Sequence, residues 1–171
     1  MNIILKTSYF MEGAMQKMIF SIMMLAIGFS AITATANLTQ PLQTAFAMKI
    51  DTVAKMYQQD VNNEGMDNPV VLQQYANPDL KAAMQREQDY FAKAQTSCHV
   101  GYDVLWNSQD PDYAQDKQFS VTTRGLVQVS LAHGHDVYYE LSCDNSACQV
   151  ADVILDEDGT SLRAHLLKNC P

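Results

Sequence analysis

The chain has 171 residues, 47% of them hydrophobic, and a formal net charge of −8 at pH 7. A balance this acidic gives no long-range attraction to nucleic acid or to an anionic lipid surface, which excludes both as charge-driven partners. If a protein partner exists, the charge favours a basic one.

The first 36 residues read as a leader. Lys17 is followed by an uncharged apolar run over 18–32 that ends in Ala34-Thr35-Ala36. A basic residue, an apolar stretch and small residues at the cleavage point are the parts of a secretory signal. The run is short for a spanning helix, which needs ~20 apolar residues. The sequence therefore predicts a cleaved signal peptide over 1–36 and a single domain over 37–171. A start at Met15 or Met18 would give a tidier signal than Met1. The expected destination is the periplasm, with no stable membrane insertion after cleavage.

All four cysteines, Cys98, Cys143, Cys148 and Cys170, follow the leader. An even count in an exported chain predicts disulfides. Zinc would need a spacing such as C-x-x-C, which is missing. Of the three possible pairings one is favoured locally. Cys143-Asp-Asn-Ser-Ala-Cys148 puts turn residues between two strand-like runs, and a symmetric hairpin there sets Cys143 opposite Cys148. Cys98 then pairs with Cys170 and closes a loop of about 70 residues, worth roughly 4 kcal/mol in the chain-entropy description.

In chain order, Leu42, Phe46, Ile50, Val53 and Tyr57 fall at helical spacing and predict a helix over 41–60. An Asn/Gly/Pro-rich stretch over 62–69 breaks it. A short helix over 70–75 follows. Asn77-Pro78-Asp79 starts another helix, ending near Ser97, with Leu80, Met84, Phe91 and Ala94 as its apolar stripe. Val100, Tyr102, Val104 and Trp106 alternate and predict a strand. A loop over 107–117 precedes three extended runs, 119–131, 137–143 and 148–155, the first bent at Arg124-Gly125. The acidic stretch 156–159 reads as a turn, and Leu162 and Leu166 predict a short C-terminal helix. Helices followed by an antiparallel meander make an α+β domain, with the helices on one face of a curved sheet.

Three segments resemble a family of uncharacterised bacterial exported proteins with the cone-shaped fold of nuclear transport factor two, a cystatin-like arrangement. They are Leu72-Gln-Gln-Tyr-Ala-Asn-Pro-Asp-Leu80, Tyr102-Asp-Val-Leu-Trp-Asn-Ser-Gln-Asp110, and Val150-Ala-Asp-Val-Ile154 with Gly159-Thr-Ser-Leu-Arg163. The resemblance implies a helix pair, a strand entering a Gln-Asp loop, and a last strand entering a helix start. This chain departs from the family in Cys148-Gln149, where an aromatic residue is common, and in its cysteines.

The hairpin register sets Leu141 opposite Val150, Tyr139 opposite Asp152 and Val137 opposite Ile154, which leaves Asp152 as the one acid on an apolar face. A buried carboxylate needs partners. The resemblance places Arg163 and the Gln109-Asp110 loop near it. The arrangement is then either a polar site or a network that pins the C-terminal segment to the sheet, and such pairs are more often structural. Trp106, beside the loop, is an aromatic candidate for a binding surface. Gln109, Asp110, Asp152, Arg163, Tyr139 and Trp106 are thus the candidate binding residues. No catalytic set, metal site or cofactor site is expected. His133-Gly134-His135 is read as an exposed turn, because no third ligand is evident. The sequence points to a periplasmic, non-enzymatic binding module, in one version an inhibitor or immunity protein against an envelope-acting toxin. The alternative is a small-ligand-binding or acid–base enzyme of the same cone fold, using Asp152.

Overall fold

Helix α1, Thr39–Asn63, is long because nothing in it breaks a helix until Glu64 and Gly65, which take positive φ values of 49° and 69°. Gly65 N–H donates to the Asp60 carbonyl at 3.1 Å, and a Cβ there would run into the Tyr113 hydroxyl, so any side chain at this left-handed position would be strained and would displace Tyr113. The computed structural model describes residues 39–155 and 159–171; the expected signal peptide and most of the acidic turn at 156–159 lie outside the described residues. The described residues belong to one compact unit.

The buried stripe of α1 is Val53, Met56, Tyr57 and Asp60, at i, i+3, i+4 and i+7. The expected apolar positions nearer its start are not core: Leu42 is exposed, and Phe46 and Ile50 are half-buried. Helix α2, Val71–Tyr75, and helix α3, Pro78–Ala94, follow. Asn77 caps α3, its Oδ1 accepting from Leu80 N–H at 2.9 Å, with Pro78 in the first turn. Gln95 ends the helix in the left-handed region, φ 55°.

The predicted strand over 100–106 does not form. Asp103 Oδ1 instead accepts from the Leu105 and Trp106 N–H groups at 2.8 and 3.4 Å, and an Asp103–Ser108 bridge closes the turn. Asn107 takes φ 47° inside it. A short side chain that binds its own backbone outcompetes the alternating pattern, so Val104, Leu105 and Trp106 enter the core from a turn.

The single bent strand expected over 119–131 is also corrected. It is a hairpin, β1 Lys117–Val121 and β2 Val127–Leu131. Thr122 Oγ1 accepts from Leu126 N–H at 3.2 Å, and Gly125 supplies φ 78°. Strands β3, Val137–Cys143, and β4, Cys148–Ile154, complete an antiparallel sheet in the order β1-β2-β3-β4. The domain is therefore α+β. Helix α1 contacts all four strands. The outer edge of β4 is closed by Asn77 N–H, which donates to the Val150 carbonyl at 2.8 Å, and by an Ile154–Ser161 bridge. Helix α4, Leu162–Asn169, then buries Leu162 and Leu166.

Both disulfides have the expected pairing, Cys98–Cys170 and Cys143–Cys148. They suit an oxidising, extracellular-type environment. Among the described residues no helix is long and apolar enough to cross a membrane.

The β3–β4 register begins as expected, with Cys143 opposite Cys148 and Leu141 opposite Val150, and then slips. A bulge between Glu140 and Leu141 sets Glu140 opposite Asp152, Tyr139 opposite Val153 and Tyr138 opposite Ile154. One extra residue moves Asp152 to the face opposite Tyr139.

Candidate functional site

The aromatic centre of the core positions the most unusual group. Tyr57, on α1, packs edge-to-face against Trp106, Phe119 and Tyr139, with ring centroids 5.2, 5.8 and 6.2 Å apart. Its hydroxyl donates to the Leu105 carbonyl, so the Tyr139 hydroxyl must donate to Tyr57 across their 2.9 Å contact. Tyr57 thereby ties α1, the 103–108 turn and β3 together. Burial pushes both phenols far above their ordinary titration range.

One turn further along α1, Trp106 Nε1–H donates to Asp60 Oδ2 at 2.5 Å. Trp106 is held edge-on by Tyr113 at 5.3 Å and under Lys117, whose Nζ lies 5.3 Å from the ring centroid. Asp60 is 4% exposed. Among the described residues Trp106 gives its carboxylate the sole hydrogen bond, and Asp60 forms no ion pair. Among the described residues no fully buried side-chain oxygen lacks a hydrogen-bond partner, so the second carboxylate oxygen, Oδ1, keeps some contact with solvent. Burial raises the Asp60 pKa, the Trp106 bond lowers it, and the negative charges of Asp103 and Asp67 raise it further. Its position in the last turn of α1 adds the negative end of the helix dipole.

The space that Asp60 opens into is a cleft of about 350 Å³. Asp60, Asp103, His99 and Glu87 are its ionisable lining, and Val71, Leu72, Met84, Val104 and Leu105 supply most of its apolar wall. The volume is within the range of small-molecule sites, ~300–1,000 Å³, and so is the mix of apolar wall and few polar groups. Asp103 also titrates high, chiefly through burial, opposed by the Leu105 and Trp106 N–H groups and by His99. The ring of His99 makes no hydrogen bond among the described residues. Cys98, its chain neighbour, is fastened to Cys170. No Lys or Arg lines the cleft.

The residues singled out from the sequence are placed differently. Asp152 is 2% exposed and fully engaged. Its Oδ1 accepts from the N–H groups of Val153 and Arg163 at 2.9 and 3.0 Å, and its Oδ2 accepts from Ser161 Oγ–H at 2.5 Å. Ser161 Oγ in turn accepts from Ala164 N–H and caps α4. Arg163 lies 3.7 Å from Asp152 and 3.6 Å from Asp79. This is a carboxylate at a helix start that ties α4 to β4, with no oxygen left for a ligand. Gln109 and Asp110 are exposed in the loop after the 103–108 turn, Gln109 Nε2 donating to the Gly101 carbonyl at 3.5 Å. Tyr139 lies in the core, on the other face of the sheet from Asp152. Trp106 is 1% exposed and orients Asp60 from behind. Asp60 and Asp103 drew no attention in the sequence, and His99 read only as a single, uninformative histidine, although Asp60 continues the stripe of Val53 and Tyr57, where an acid is out of place. Among the described residues no cluster of three or more His, Cys, Asp or Glu is arranged to hold a metal ion. Compared with known proteins, the chain matches no family, no curated protein and no solved structure.

Proposed function

We propose that this protein is a non-enzymatic binding module exported to the periplasm, of the nuclear transport factor two-like cone type, and that its binding site is the cleft at Asp60. One observation carries this reading: a buried carboxylate, held by a single indole N–H, whose side chain lines a mostly apolar cleft. Burying such a group costs stability, and folds tolerate that cost mainly where the group has work to do. Export is supported by the leader-like residues 1–36 and by the two disulfides.

The test is a thermal-shift screen of small metabolites on the wild-type protein and on Gln88→Trp. Gln88 is exposed on α3 at the cleft, so the substitution narrows the cleft without touching the core. A ligand at 100 times its Kd stabilises by about 2.7 kcal/mol. Compounds that raise the wild-type Tm and not that of Gln88→Trp support the reading. Compounds that stabilise both proteins equally bind elsewhere and refute it.

A further inference from the structure

We infer that the cleft takes an organic cation, an ammonium-type head on a short aliphatic body, with the head at the carboxylates of Asp60 and Asp103 and the body along the apolar wall. This rests on the cleft being the binding site and adds the chemical class of its ligand.

The argument is one of charge and shape. Asp60, Asp103 and Glu87 bring three carboxyl groups to the lining, and no lining residue is Lys or Arg. His99 is the one lining residue whose side chain could carry a positive charge. An anionic ligand would meet uncompensated like charge at short range in a poorly solvated place. A neutral ligand can donate at most a hydrogen bond to Asp60 Oδ1 and brings no counter-charge to the buried carboxylate. A cation does the opposite: it supplies the counter-charge that the fold omits, and its N–H groups donate to an acceptor whose lone pairs are free. The remaining wall, Val71, Leu72, Met84, Val104 and Leu105, cannot bond a polar body and gains by covering an aliphatic one. A bare metal ion fits poorly, because Ca²⁺ and Mg²⁺ require about six or more oxygen ligands and this wall is mostly carbon.

The aromatic frame fixes the geometry. Trp106 pins Asp60 Oδ2, and the Asp103 side chain is pinned through Oδ1 by two backbone N–H groups of its own turn. Each carboxylate is therefore held through one oxygen, and among the described residues the other accepts no hydrogen bond, an arrangement preorganised for a cation.

Isothermal titration at pH 8 with n-hexylammonium, 1-hexanol and hexanoate tests the class. The purified wild-type protein, Asp60→Asn and Gln88→Trp are compared. We expect one hexylammonium per chain, bound at least about tenfold more tightly than hexanol, with hexanoate weakest. Asp60→Asn should lose about tenfold for hexylammonium and leave hexanol within about twofold. Gln88→Trp should weaken both. If hexanol binds as well as hexylammonium and Gln88→Trp weakens both, the cation class is wrong and the cleft stands. If hexylammonium affinity is unchanged in Asp60→Asn, the assignment of the head to Asp60 is wrong. If none of the three compounds binds, the ligand class is overturned.

Discussion

The indole of Trp106 donates its N–H to Asp60 across 46 residues of chain, at 2.5 Å, and both partners are buried. Trp106 is the sole tryptophan of the chain. The group that orients the candidate site is thus also an intrinsic probe of it.

The first prediction concerns what this contact costs and contributes. Asp60→Leu leaves the indole N–H without an acceptor and should destabilise the protein by roughly 1–3 kcal/mol. Asp60→Asn keeps an acceptor and removes a charge buried without a cation, so its stability at neutral pH should equal or exceed that of the wild type. Denaturant melts of the two variants separate the effects. Equal losses in both would mean that the charge itself stabilises the fold.

The pH dependence gives a second prediction. Burial, the main cause, and the nearby acids raise the Asp60 carboxyl in the folded state. A folded-state pKa above the unfolded value gives stability that is complete below the ordinary carboxylate range, about 3.9, and is lost as pH rises through the raised value. Asp60→Asn abolishes that loss. The Tm advantage of the variant should therefore grow from about pH 4 upwards and level off once Asp60 is ionised. A difference that shrinks over this window would contradict the assignment. Binding of a cation should follow the same groups. Affinity should rise with pH as Asp60 and Asp103, both raised by burial, ionise.

How much of this was legible in the sequence varies with the range of the interaction. The Cys143–Cys148 bridge, its hairpin turn and the Asn77-Pro78 cap depend on neighbours in the chain, so local chemistry was enough, and Cys98–Cys170 then followed by elimination. The strand expected at 100–106 failed because Asp103 and Asn107 favour a turn that apolar alternation does not encode. The face of Asp152 was misread because a single bulge residue inverts a strand and has no signature in the sequence. The cleft was illegible, since its carboxylates and imidazole come from α1, α3, the 103–108 turn and the segment after Cys98. Asp60 alone left a trace, as an acid in an apolar stripe.

A third prediction sets Asp152 against its cross-strand partner. Glu140 is exposed and Asp152 is buried with three hydrogen bonds. Asp152→Ala should cost about 3 kcal/mol, because it leaves the Arg163 and Val153 N–H groups and the Ser161 hydroxyl without their acceptor. Glu140→Ala should change stability by less than ~0.5 kcal/mol. Cation binding in the cleft should survive both. Loss of binding in Asp152→Ala with the fold intact would assign Asp152 a functional role after all.

A fourth prediction ranks the disulfides. Cys98 and Cys170 are 72 residues apart in sequence, Cys143 and Cys148 only 5. Chain entropy gives roughly 4 kcal/mol for the longer loop and roughly 2 for the shorter. Replacing Cys98 and Cys170 together by alanine should lower stability more than replacing the hairpin pair. It should also weaken cleft binding, since Cys98 anchors His99. Equal losses would show that native-state strain, and not loop length, sets the contribution of each bridge.

The most direct measurement of the central claim is the indole N–H resonance of Trp106 in a ¹⁵N-labelled sample titrated with n-hexylammonium. The chain yields one such signal, and its proton points at Asp60. A cation seated on the free oxygen of that carboxylate weakens the acceptor and must move the resonance. A saturable shift, lost in Gln88→Trp and absent with hexanoate, is the predicted result. An indole resonance that stays fixed while amides elsewhere shift and saturate would place the site outside the cleft and contradict the account.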